Sequence, residues 1–146
     1  MNSNSRRAWL PLSVALIVAL CTFGAYSGSA GAADIKVTLA GDQEIPPVMS
    51  AGSGSGTIMV GADKSVSGSV TTQGVAGTAA HIHEAAAGKN GPVIIPLTKS
   101  GADTWMVPAG AKLSDAQYKS FEEGNLYVNV HTKAHPAGEV RGQLKP

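Results

Sequence analysis

From Asp34 onward the chain alternates apolar and polar residues in short runs, each broken by glycine or a turn residue. Ile35-Lys-Val-Thr-Leu39 and Leu126-Tyr-Val-Asn-Val130 have the period of two that turns one side of a strand inward and the other outward. On this pattern the candidate strands are Ile35 to Ala40, Gly56 to Val60, Ser65 to Thr71, Ala79 to Glu84, Val93 to Leu97, Thr104 to Val107, Leu126 to Thr132 and Glu139 to Leu144. So many short alternating runs predict a mostly β fold, a Greek-key β-sandwich or barrel of seven to nine strands. Pro46-Pro47 and the serines and glycines after them exclude regular pairing between Asp42 and Gly56, so a long loop is expected there. One short helix is expected near Ser114 to Glu123. Ser114-Asp-Ala-Gln117 reads as a capping box, Leu113 and Tyr118 can close a hydrophobic staple, and Gly124 supplies the stop.

The N-terminus has a different pattern. Arg6 and Arg7 precede an apolar run from Leu10 to Ala25, and small residues from Gly28 to Ala33 follow it. That order is the signature of a signal peptide, here residues 1–32, cleaved near Ala32 or Ala33 to leave a domain of residues 33–146 outside the cytoplasm, periplasmic or secreted. Ser13, Cys21, Thr22 and Gly24 interrupt the run and no basic flank follows it, which argues against a permanent membrane anchor. The paired arginines fit a twin-arginine export signal and an ordinary secretory one alike. Cys21 follows Leu20, where a lipoprotein site needs a small residue, so it reads as an apolar residue of the signal.

The remaining stretch of about 114 residues is one domain's length. Without Arg6 and Arg7 it holds nine Lys and Arg against ten Asp and Glu, a net charge of −1, which leaves no basic patch for nucleic acid. It has no cysteine, hence neither a disulfide framework nor a thiolate metal site.

The candidate chemistry lies in the histidines. All four fall in two groups, His81 with His83 and His131 with His135. At strand positions i and i+2, His81 and His83 project side by side, about 7 Å apart along the backbone, while Ile82 points inward. In the run from Leu126 to His131 the apolar face must be the core, so His131 points outward, and the same parity turns Arg141 outward, with His135 in the turn above them. Imidazoles on one surface without cysteine suit copper or zinc, and intrinsic affinity favours copper over zinc. Arg141 has two readings, a surface ion pair or a guide for an anionic substrate.

Five segments, Leu39-Ala-Gly-Asp-Gln-Glu-Ile-Pro-Pro47, Ala80-His-Ile-His83, Asn90-Gly-Pro-Val93, Gly124-Asn-Leu-Tyr-Val-Asn-Val-His-Thr132 and Gly138-Glu-Val-Arg-Gly-Gln-Leu144, resemble in order the motifs of the CHRD (chordin-type) domain family. A looser resemblance links His81-Ile-His83, His131 and Arg141 to the order of copper ligands and guiding arginine in copper-zinc superoxide dismutases, which are Greek-key barrels. The long loop that carries their zinc ligands and their disulfide have no counterpart here, so the resemblance implies a copper-only site with His135 as fourth ligand. The function expected on this basis is superoxide dismutation, with copper on His81, His83, His131 and His135 and with Arg141 attracting superoxide. The alternatives are a copper-buffering protein without turnover and an adhesive or matrix-binding module using the sheet edges and the Pro46-Pro47 loop.

Overall fold

The structure, a computed structural model, describes residues 31–146. The signal segment with Arg6, Arg7 and Cys21 lies outside the described residues. Nine strands form, β1 (Ala33–Ala40), β2 (Ser53–Val60), β3 (Val66–Gln73), β4 (Gly77–Glu84), β5 (Val93–Pro96), β6 (Thr98–Lys99), β7 (Thr104–Met106), β8 (Leu126–Thr132) and β9 (Val140–Leu144). They pair antiparallel in one sheet, in the order β5-β4-β8-β9-β1-β2-β3-β7-β6. The crossovers from β3 to β4 and from β7 to β8 break the meander and give the expected Greek-key connectivity, in a nearly closed barrel.

The closure comes from a stretch that the sequence read as a strand from Val93 to Leu97 and that the structure continues beyond Leu97 as a second short strand. β5 pairs with β4 at one end of the sheet order and β6 pairs with β7 at the other, and only Leu97 stands between them. Leu97 donates its N–H to the Ala80 carbonyl at 2.9 Å, and Lys99 Nζ reaches the Gly77 carbonyl at 3.0 Å, so one stretch of chain sews the two ends together. β2 starts three residues earlier than expected because Ser53 has partners on both sides, Ala40 on β1 and Gln73 on β3.

The alternating apolar residues fill the interior, with Leu39, Ile58, Val70, Ile82, Val128, Val130 and Val140 fully buried. Turning β8 over would expose Leu126, Val128 and Val130, at a cost of about 1.5–3 kcal/mol for each side chain, so the register that sends Tyr127, Asn129 and His131 outward is strongly fixed. Gly142 lets β9 approach β1, since a Cβ there would come within 2.3 Å of the Thr38 carbonyl oxygen. The helix α1 (Asp115–Glu122) forms where the capping box predicted it: Ser114 Oγ accepts from the Gln117 amide at 3.2 Å, and Gln117 Oε1 accepts from the Ser114 amide at 2.9 Å. Phe121 anchors the helix in the core, and Ser120 Oγ donates to Glu84 Oε1 at 2.6 Å, tying it to β4.

One expectation needs correction. The outward face of β8 and β9 is not a solvent face, for Tyr127, Asn129 and Arg141 are as buried as the core. Two segments cover it, residues 41–52, which open with a 3-10 turn at Gly41–Gln43, and residues 85–92. Asn90 Nδ2 donates to the Ile45 carbonyl at 2.8 Å and joins the two covers. Gln143 Nε2 donates to the Ala85 carbonyl at 2.9 Å and holds the second against β9.

Candidate metal centre

His81, His83 and His131 come together at one edge of this covered face. β4 and β8 pair with Ala79 opposite His131, His81 opposite Asn129 and His83 opposite Tyr127, which sets the three imidazoles in a triangle across two strands. Their ring centroids are 5.5, 4.8 and 5.8 Å apart, and one potential ligand atom from each lies within 4.8 Å of the others. An ion held at about 2.0–2.1 Å by each nitrogen asks for separations of roughly 3–4 Å, a contraction of about 1 Å that side-chain rotation can supply.

Backbone carbonyls set the tautomers. His83 Nδ1 lies 3.0 Å from the Gly91 carbonyl oxygen and His131 Nδ1 lies 3.0 Å from that of Pro136. A carbonyl can only accept, so each Nδ1 carries the proton and each Nε2 keeps its lone pair. His131 Nε2 is 3.0 Å from His81 Nδ1, and the two share a hydrogen bond. His83 Nε2 is buried and has no partner. With its proton on Nδ1, His131 accepts at Nε2, so His81 Nδ1–H is the donor in the bond that these two share. His81 would give up this hydrogen bond and shift its proton to Nε2 on joining His83 and His131 around an ion.

The surroundings favour the neutral form of His81 and His83. Burial lowers the pKa of His81, and the neighbouring His131 and His83 lower it further. Burial also lowers that of His83, with contributions from His131 and Arg141 in the same direction and an opposing one from its bond to Gly91. Neutral imidazole is the form that binds a metal. Gly91 is required where it stands, because a Cβ would sit 1.9 Å from the Glu84 carbonyl oxygen and push away the carbonyl that orients His83.

Behind the triangle is a stacked column. The Tyr127 ring lies against His83 at 4.8 Å and 10° between planes, and the Arg141 guanidinium carbon lies 3.4 Å from the Tyr127 ring centroid. Because β8 runs between β4 and β9, tyrosine is the filling between imidazole and guanidinium. Arg141 points away from the core as the parity predicted, but it is 1% exposed and is not a surface residue. Its amino groups donate to Asn90 Oδ1 at 3.2 Å and Gln143 Oε1 at 3.3 Å, so it fastens the cover as well as stacking on Tyr127. No carboxylate forms an ion pair with it among the described residues.

His135 does not join the other three. It sits in the turn between β8 and β9, where its carbonyl accepts from the Thr132 and Gly138 amides and its amide donates to Thr132 Oγ1. Its side chain lines a separate cleft of about 260 Å³ with Ile45 to Val48. The turn serves the triangle through the neighbouring Pro136 carbonyl. Sequence reasoning passed over Tyr127, Asn90, Glu44 and Asn129, although all four lie in the motif segments.

The CHRD domain model matches residues 35–144, nearly the whole described chain. The chain belongs to the CHRD domain family. No curated protein and no solved structure gives a match. CHRD domains are typically extracellular, and among the described residues no helix is long and apolar enough to cross a membrane. The histidine triangle sits within motifs that this CHRD domain carries, Ala80 to His83 and Gly124 to Thr132.

Proposed function

We propose that this CHRD-domain protein is exported, binds one copper ion through His81, His83 and His131, and uses it to dismute superoxide. The observation that carries the reading is His83 Nε2, a buried nitrogen with a lone pair and no hydrogen-bond partner, turned into a cluster of two further imidazoles. A buried acceptor left unmatched costs about 1–3 kcal/mol, and a bound cation would satisfy it. Three imidazoles with no thiolate favour copper over zinc.

His81 and His131 are half-buried whereas His83 is deep, so a bound ion would meet protein on one side and solvent on the other. That leaves room for a small anion. Copper would supply one-electron exchange, taking an electron from one superoxide to give dioxygen and returning it to the next, which leaves with two protons as hydrogen peroxide. Gly91 and Pro136 hold the ligand tautomers, and Tyr127 keeps His83 flat against the column. Arg141 lends positive charge from beneath the cover, where attraction acts through the field and not through contact.

The test is metal uptake and turnover on the purified protein. One equivalent of Cu(II) should bind with the electron-paramagnetic signature of nitrogen ligation. His83→Ala should lose the ion and the activity together. Copper that binds without dismutation above free-copper controls would leave the buffering role. Failure to take up Cu(II) or Zn(II) would remove the site and leave the adhesive module in front.

A further inference from the structure

Beside the histidines, and independent of any metal, lies a second arrangement whose polar atoms do not balance. Glu44 and Asn129 are 3% and 2% exposed, and Asn129 Nδ2 donates to Glu44 Oε2 at 3.2 Å. The two remaining oxygens, Glu44 Oε1 and Asn129 Oδ1, are both buried and both without a partner. They crowd the same place, for a Cβ built on Gly138 would lie 2.6 Å from the first and 2.4 Å from the second. Two buried acceptors side by side with no donor between them repel, and each has given up its water. A single proton on Glu44 resolves both.

We infer that Glu44 is a neutral carboxylic acid in the folded protein, its Oε1–H donating to Asn129 Oδ1, so that acid and amide form a two-bond latch holding the 41–52 segment over the histidine face until the proton is lost. The latch is well placed for that task. Glu44 ends the 3-10 turn that opens the segment, and Asn129 stands on β8 between His81 and Arg141. Ionisation would set a carboxylate oxygen against the amide oxygen, and the segment would lift at this point.

The environment supports a retained proton. Burial raises the pKa of Glu44 to about 7, against the opposing pull of the Asn129 hydrogen bond and the Arg141 charge. Arg141 is the charged group that faces it from β9. On the β8–β9 turn stand His135, which lines the same cleft, and Glu139, whose carboxylate is held by Ser50 and Thr132. His81 lies across Asn129 on β4, Asp42 is exposed on the segment itself, and Lys89 is exposed on the other cover. The sign follows from the raised value. Between pH 4.5 and about 7 the folded protein keeps a proton that the unfolded chain has lost, so stability falls as pH rises through that window.

Glu44→Gln tests this directly, because glutamine offers Asn129 the same donor and acceptor at every pH. The isotope-edited infrared spectrum of the wild-type protein should show a protonated carboxyl band that disappears near neutral pH and is missing from Glu44→Gln. The melting temperatures of the two should agree at pH 5, and at pH 8 the wild type should melt lower. Exchange of the Val48 amide should accelerate between pH 6 and 8 beyond the intrinsic rise of base catalysis in the wild type alone. Glu44→Leu, which has neither bond, should exchange fast at both pH values. The inference is overturned if no protonated carboxyl is found at pH 5.5, or if Glu44→Gln is the less stable protein at pH 5. The infrared measurement needs no variant to fold, and none of these readouts involves a metal, so they stand or fall apart from the copper reading.

Discussion

Replacing Arg141 by alanine separates a residue that holds the structure together from one that only attracts a substrate. A guide contributes to rate and little to stability. The structure instead gives Arg141 hydrogen bonds to three neutral oxygens, on Asn90, Gln143 and, at the long limit of 3.5 Å, the Ala86 carbonyl, and a stack on Tyr127. Bonds from a charged donor contribute about 1.5–3 kcal/mol each, and a desolvated cation–π contact about 2 kcal/mol. Burying the guanidinium costs several kcal/mol in return, which the variant no longer bears. Loss of packing where the side chain was 1% exposed restores part of that difference. The expected net loss is about 3 kcal/mol, a large share of the 5–15 kcal/mol typical of a domain. Urea unfolding at neutral pH measures it as a drop in midpoint, and limited proteolysis should find residues 85–92 newly cleavable. Arg141→Lys should recover less than half of the loss, since an ammonium cannot stack flat on the ring or fork between Asn90 and Gln143. A loss below about 1 kcal/mol, with the cover still resistant to protease, would refute the structural role and return Arg141 to the surface function its sequence position suggested.

Ser114→Ala should destabilise the domain by about 1 kcal/mol, measured by thermal unfolding, because it removes one half of the capping box. Gly142→Ala should cost more than that, since the new Cβ would lie 2.3 Å from a backbone oxygen that cannot move aside; a stable variant would mean that β9 can shift away from β1. In protein stripped of metal, the lowered pKa values of His81 and His83 mean that the unfolded chain takes up protons first as pH falls below 6.5. Their contribution to stability should be complete above that pH and decline below it, seen as a falling urea midpoint in the metal-free protein that Cu(II) restores.

The sequence made the core legible because period-two alternation is a direct record of which side of a strand is dry. It located β1, β4, β8 and β9 closely, and with them His81, His83 and His131 on one surface. The helix was legible for a different reason, since Ser114 and Gln117 satisfy each other locally and need no tertiary partner. The covered face escaped because alternation reports only that Tyr127, Asn129 and Arg141 point away from the core. What lies over them depends on long-range contacts such as Asn90 with Ile45, which leave no periodic trace. His135 lies in the turn, as the sequence indicated, but it does not join the cluster of His81, His83 and His131 that its nearness to His131 suggested, and its backbone does the work there. Glu44 was hidden by its setting in a loop of polar residues, where a carboxylate is ordinarily solvated. Its presence inside a motif segment, beside Ile45-Pro-Pro47, was the one available sign.

The passage of the chain from β5 to β6 at Leu97 has a consequence for how the molecule meets its own kind. An open sheet has two margins where backbone donors and acceptors wait for another chain, and such margins seed fibrils. Here the same seven residues, Val93 to Lys99, serve both margins in turn, and their bend brings a would-be edge round to its opposite number. With no cysteine among the described residues to lock it covalently, that seam rests on the Leu97 amide bond to Ala80 and the Lys99 side-chain bond to Gly77. Weakening them would leave the interior packing of every other strand intact and still turn a self-contained barrel into a ribbon with two sticky ends.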